Sequence, residues 1–91
     1  MEDRTRVHVF VSGTVQGVGF RQAVLDKANE LDVTGWVKNL PDGRIEAVLE
    51  GPRDDVYRVV GLCRAGPQGA QVSGVQVDRE PPKNEKSFRL K

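Results

Sequence analysis

The stretch Val11-Ser12-Gly13-Thr14-Val15-Gln16-Gly17-Val18-Gly19-Phe20-Arg21 decides how this chain folds. It carries glycines at 13, 17 and 19, has no acidic residue and closes on an arginine. Upstream, Arg6-Val7-His8-Val9-Phe10-Val11 alternates apolar and polar as a strand does, and downstream Phe20 to Leu31 has the period of a helix. The glycines therefore sit where a strand turns into a helix. Successive N–H groups at such a turn can converge on one spot, and the helix N-terminus adds partial positive charge, so the stretch is a candidate anion cradle. Arg21, in the first helical turn, adds a possible two-pronged contact to phosphate or carboxylate. The loop is not a Walker loop, since no Gly-Lys-Ser/Thr follows, and Gln22 stands where a dinucleotide fingerprint has its third glycine. Taken alone, it also fits an ordinary strand-to-helix turn.

Outward from the loop, the rest of the chain supplies alternating elements. In the first strand Val7, Val9 and Val11 share an inward face, while His8, Phe10 and Ser12 take the other. Residues 1–5 are polar and are expected to fray. The helix after the loop aligns Phe20, Val24, Ala28 and Leu31 on one stripe. Thr34 to Leu40 reads as a second strand, Pro41-Asp42-Gly43 as a tight turn, and Arg44 to Glu50 as the returning strand, with Ile45, Ala47 and Leu49 opposite in facing to Glu46, Val48 and Glu50. Gly51-Pro52 ends this hairpin and opens a second helix with Val56, Val59, Val60 and Cys63 on its core stripe and Arg53, Asp54, Asp55 and Arg58 on a solvated face. Gly66-Pro67 stops that helix. Val72, Val75 and Val77 mark a fourth strand whose uneven spacing across Gly74 suggests a bulge. Asp78 to Lys86, with Pro81-Pro82, reads as a loop, and Ser87 to Leu90 as a short terminal strand. The order β-α-β-β-α-β predicts an α+β fold of the ferredoxin-like, split β-α-β kind. Its two helices lie on one face of a four- to five-stranded antiparallel sheet.

Composition narrows the function classes. Ninety-one residues suit one domain spanning 1–91. Fourteen basic against thirteen acidic residues give a net charge of +1, which favours neither nucleic acid nor an anionic membrane as partner. Any preference for anions must then be local. A single cysteine, Cys63, and a single histidine, His8, supply neither an internal disulfide nor a structural zinc site. No apolar segment approaches a membrane span and the charged start does not resemble a signal peptide, so a cytoplasmic protein is expected.

Two longer patterns carry a family resemblance. Val11-x-Gly13-x-Val15-Gln16-Gly17-Val18-x-Phe20-Arg21 and Gly35-Trp36-Val37-Lys38-Asn39-x-x-x-Gly43-x-Ile45-x-x-x-x-x-Gly51 resemble, in order and spacing, the two signature motifs of the acylphosphatases. Ile45 stands where that family usually has valine, and Gln22-Ala23 where many members carry an aromatic residue. The resemblance implies hydrolysis of the carboxyl-phosphate bond of small acyl phosphates to carboxylate and inorganic phosphate, without metal or other cofactor. It implies catalytic roles for Arg21 and Asn39: Arg21 holds the phosphate together with the amides of Gln16, Gly17, Val18, Gly19 and Phe20, and Asn39 orients the attacking water. Inorganic phosphate and similar anions are then expected to bind as product or inhibitor, and the enzyme to be a monomer. A non-catalytic anion-sensing module and a ferredoxin-like RNA binder are the rival classes; the second would need exposed aromatics on a basic sheet face. Apart from the resemblance, Asn39 reads as a turn former, Trp36 as packing, His8 as an exposed strand residue, and Cys63 as helix core with no partner to make it a nucleophile.

Overall fold

The computed structural model describes residues 4–91. Its elements are β1 (Arg4–Thr14), α1 (Phe20–Glu30), β2 (Thr34–Asn39), β3 (Ile45–Pro52), α2 (Arg53–Ala65), β4 (Gln71–Glu80) and β5 (Phe88–Leu90). The five strands form one sheet in the order β4-β1-β3-β2-β5. The first four pair antiparallel, as the split β-α-β order requires, but β5 runs parallel to β2, with Gly35 opposite Phe88 and Val37 opposite Leu90. The sheet is therefore mixed, and the antiparallel expectation holds for four strands only. A chain leaving β4 and crossing the end of the sheet arrives at the far edge already pointing the same way as β2.

The helices cover one face. Val7, Val9 and Val11 of β1, Val37 of β2, and Ile45, Ala47 and Leu49 of β3 are buried against Phe20, Val24 and Ala28 of α1 and Val56, Val59, Val60 and Cys63 of α2. These are the stripes that the 3.6-residue and two-residue periods select. Leu31, at the end of the first stripe, is the C-cap of α1 and only partly buried. Burial pushes the Cys63 thiol up to about 12 against a small opposing pull from the Arg64 charge, which leaves it an inert core group.

Two boundaries differ from expectation. Arg4 and Thr5 are not frayed: they pair with Pro52 and Gly51 in β1, while residues 1–3 lie outside the described residues. Strand β4 continues through Asp78, Arg79 and Glu80, which face His8, Val7 and Arg6, so the loop occupies 81–87. Its polar composition concealed strand pairing that is stabilised by a neighbouring arginine and histidine. The suggested bulge is present: Ser12 pairs with Gly74 and Gly13 with Val72, which leaves Ser73 as the extra residue.

The face away from the helices is charged, and one carboxylate organises it. Glu50 is fully buried, salt-bridged to Arg6 at 3.1 Å and Arg4 at 3.3 Å, and accepts the backbone N–H groups of Lys83 and Asn84 at 3.1 and 2.8 Å. Arg6, itself buried, also reaches Glu80 at 2.9 Å and Glu85 at 3.0 Å. Burial alone would raise the Glu50 carboxyl; the two amides and the two guanidinium groups outweigh it and hold the group at about 2. Because that value lies below the ordinary 4.5, ionised Glu50 stabilises the fold fully above pH 4.5, and the stabilisation fades as pH falls toward 2. Glu50→Gln is expected to lower unfolding free energy at neutral pH by about 3 kcal/mol and to flatten the pH dependence of stability across this acid window. Denaturant unfolding measured as a function of pH would show both effects; an unchanged acid limb would contradict the assignment.

Candidate active site

The sheet order brings two distant segments together. β3 lies between β1 and β2 and opposes both, so Ile45 pairs with Val11 on one side and Asn39 on the other. The exit of β1 and the end of β2 are thus level at one end of the sheet. A cavity of about 170 Å³ opens there, lined by Val15, Gly17, Gly19, Phe20, Arg21, Gln22, Asn39 and Leu90.

The glycine loop gives this cavity its character. Gly17 and Gly19 have φ of +76° and +77°, and a Cβ on either would meet no atom within 4 Å. Glycine is required there for backbone conformation and not for space, since a side chain in the left-handed region costs roughly 1 kcal/mol or more. Gly19 is the N-cap of α1, where it offers no capping side chain. Among the described residues, the first N–H of this helix to reach a backbone carbonyl is that of Ala23, which donates to Gly19 at 3.0 Å. The earlier amides at the helix start keep their hydrogen-bonding capacity. The first turn has no acidic residue, and no carboxylate lines the cavity. The helix end is therefore biased toward an anion.

Arg21 makes one hydrogen bond among the described residues, a long 3.5 Å contact from Nη1 to the main-chain oxygen of Lys91, so most of its donors remain available. Across the cavity, Asn39 has its side-chain Oδ1 buried with no donor in reach. A buried acceptor left unpaired costs roughly 1–3 kcal/mol, and among the described residues the Thr5 hydroxyl, remote from this cavity, is left the same way.

Of the residues singled out from the sequence, Gly17, Gly19, Phe20, Arg21 and Asn39 meet at the cavity, and Gln16 and Val18 do not line it. The Gln16 side chain bonds to the Leu40 and Arg44 carbonyls, and Val18 packs against the core. Three lining residues escaped a role in the sequence reading: Val15, Gln22 and Leu90. Gln22 had been visible only as a departure from a motif. Leu90 carried no local signal, because the parallel pairing of β5 with β2 brings it there.

Other candidates lie elsewhere. His8 is half-buried on the open face, its ring nitrogens 2.5 Å from Glu46 and 3.1 Å from Glu80 and its ring stacked on Phe10. Trp36 packs edge-on to His8 under the Lys38 and Lys91 ammonium groups. Phe10 and Trp36 thus share the open face, more aromatic surface than the sequence suggested. Glu46 and Glu80 interleave with the cations there, unlike the uniformly basic face that an RNA platform uses.

Comparison with known proteins bears on the family and the fold. The acylphosphatase family model matches residues 7–90. An acylphosphatase of Trichormus variabilis is 56% identical over 86 residues, covering 94% of this chain and 85% of that protein. One of Natronomonas pharaonis is 47% identical over 91 residues, covering 100% and 99% of the two chains. The structure of an acylphosphatase from Coxiella burnetii superposes with a TM-score of 0.93 at 43% identity, over 98% of this chain and 94% of that one. A family model matched over residues 7–90, and relatives near half identical along most of their length, show that this chain belongs to the acylphosphatase family.

Proposed function

We propose that the chain hydrolyses small acyl phosphates by in-line attack of water on phosphorus, with the phosphoryl group held by the amides of residues 16–20 and the Arg21 guanidinium. The observation that carries this reading is that Asn39, whose Oδ1 has no donor, lines the same cavity as the α1 N-terminus, with no acidic side chain in its lining. An asparagine cannot take a proton at neutral pH, but its carbonyl can accept one hydrogen bond from water and thereby set the direction of attack. Water oxygen bonds to phosphorus, the bond from phosphorus to the acyl oxygen breaks, and the carboxylate departs with that electron pair. The water proton passes to a phosphate oxygen of the substrate, so the products are a carboxylate and dihydrogen phosphate.

An acyl phosphate has a good leaving group, and its transfer needs positioning and charge stabilisation more than covalent help. Helix amides and a guanidinium supply both. No carboxylate, imidazole or thiol lines the cavity, which is a poor ligand set for a divalent ion, and the proposed reaction needs none. His8 lies on the other face of β1 and takes no part. Inorganic phosphate, as a product, binds the same cradle and inhibits.

The enzyme is proposed to act as a cytoplasmic monomer without nucleic-acid or membrane partners. Its net charge of +1 favours neither a nucleic acid nor an anionic membrane as partner. Among the described residues no helix is long and apolar enough to cross a membrane.

Benzoyl phosphate hydrolysis in the presence of EDTA tests the scheme. Arg21→Gln is expected to lower kcat/KM on the order of 10³, the usual cost of a lost transition-state charge contact. A loss under tenfold would remove its central role. Asn39→Ala is expected to lower kcat on the order of 10² with inhibition by phosphate little changed, since the residue acts on water and not on the phosphoryl group. Phosphate binding without any hydrolysis by the unmutated protein would favour a sensing module, and activity abolished by EDTA would overturn the metal-free chemistry.

A further inference from the structure

Gln16 sits in the middle of the glycine loop, yet its side chain is not part of the cavity lining. Its Nε2 donates to two backbone carbonyls on another part of the chain, Leu40 at 2.8 Å and Arg44 at 3.0 Å. A primary amide has two N–H hydrogens, so both are used. The network also fixes which end of the amide points inward, because an oxygen facing two carbonyl oxygens would repel both.

Those acceptors bracket the turn of the β2–β3 hairpin. The Leu40 N–H donates to the Arg44 carbonyl at 2.8 Å, and the Gly43 N–H to the Leu40 carbonyl at 3.1 Å. Leu40 directly follows Asn39, and Arg44 directly precedes Ile45, the residue paired with Asn39. Among the described residues, the two bonds from Gln16 are the hydrogen bonds that tie residues 15–19 to this hairpin. They connect the backbone segment that forms the cradle with the one that carries Asn39.

We infer that Gln16 is a positioning residue whose side-chain amide braces the glycine loop against the β2–β3 turn and so sets the distance between the phosphate cradle and the water held by Asn39. The inference rests on the proposed reaction and extends it. The cradle itself belongs to the loop and to α1, so phosphate affinity does not depend on the brace. The alignment of water with phosphorus does depend on it, because the two partners come from segments that the sheet joins only through β3. Misplacement by about an ångström is enough to cost on the order of 10² in rate.

The test is a double-mutant cycle with benzoyl phosphate as substrate and inorganic phosphate as inhibitor, on the unmutated chain, Gln16→Met, Asn39→Ala and the double variant. Methionine keeps the length of the side chain and removes both donors. Gln16→Met is expected to lower kcat about 10- to 100-fold while the inhibition constant of phosphate stays within about threefold. In the Asn39→Ala background the same substitution is expected to cost less than about threefold, because the water it aligns has already lost its acceptor. Full kcat in Gln16→Met, equal losses in both backgrounds, or phosphate affinity falling in step with kcat would each overturn the inference. Should Gln16→Met fail to fold, phosphate titration of the unmutated protein by NMR decides. The Gln16 side-chain amide signals are expected to stay fixed while the backbone amides of residues 17–20 move, and a side-chain shift as large as theirs would place the amide on the ligand and refute the brace. An unmutated protein without hydrolysis removes the proposed function and this inference with it; an active one with an unimpaired Gln16→Met removes the inference alone.

Discussion

Everything at the active end depends on β3 being paired on both sides. Its antiparallel ladders to β1 and β2 put Val11, Ile45 and Asn39 in one row across three strands. Because both neighbours oppose β3, they run parallel to each other, and the chain leaves them at the same end of the sheet. Without that pairing the amides at the start of α1 would still be unpaired, but Asn39 would have no reason to be near them. The valines under the sheet maintain this arrangement: Val7, Val9, Val11 and Val37 are fully buried, and a one-residue slip of β1 would turn its three outward.

The opposite face has a different logic. Buried Arg6 and Glu50, with the partly exposed Glu80 and Glu85, form a charged cluster where a small domain has no helix to offer as cover. Desolvating such groups is expensive, and the cluster is tolerable because each Glu50 oxygen finds both a guanidinium and a backbone N–H. The amides come from Lys83 and Asn84, so the same carboxylate that neutralises Arg6 also holds the 81–87 loop across the end of the sheet. That loop delivers β5 to its parallel place beside β2 and carries Leu90 to the cavity wall. Charge on one face thus contributes to the shape of a site at the other end of the strands.

Legibility from the sequence followed the range of the forces involved. The core stripes of both helices, the hairpin around Pro41-Asp42-Gly43 and the bulge near Gly74 were readable because period and turn chemistry are local properties of the chain. The extension of β4 through Asp78-Arg79-Glu80 was not, since its polar residues form strand only by pairing with Arg6 and His8. Glu50 read as one of three residues on an outward face, and nothing nearby in sequence shows that Arg6 and a later loop bury it. Leu90 and the brace from Gln16 were invisible for the same reason: their partners lie far along the chain.

By itself, the sequence determined the chemical make-up of the Val11–Arg21 loop, because glycine backbone freedom, a helix start without acidic residues and an adjacent arginine are all encoded within a few positions. It also determined the family, through two motifs of matching order and spacing. Tertiary structure alone decided that Asn39 would line the same cavity as that loop, with its Oδ1 buried and unpaired. Which hydrogen bonds a side chain lacks depends on every element packed around it, and that is a property of the assembled sheet and no one stretch of residues.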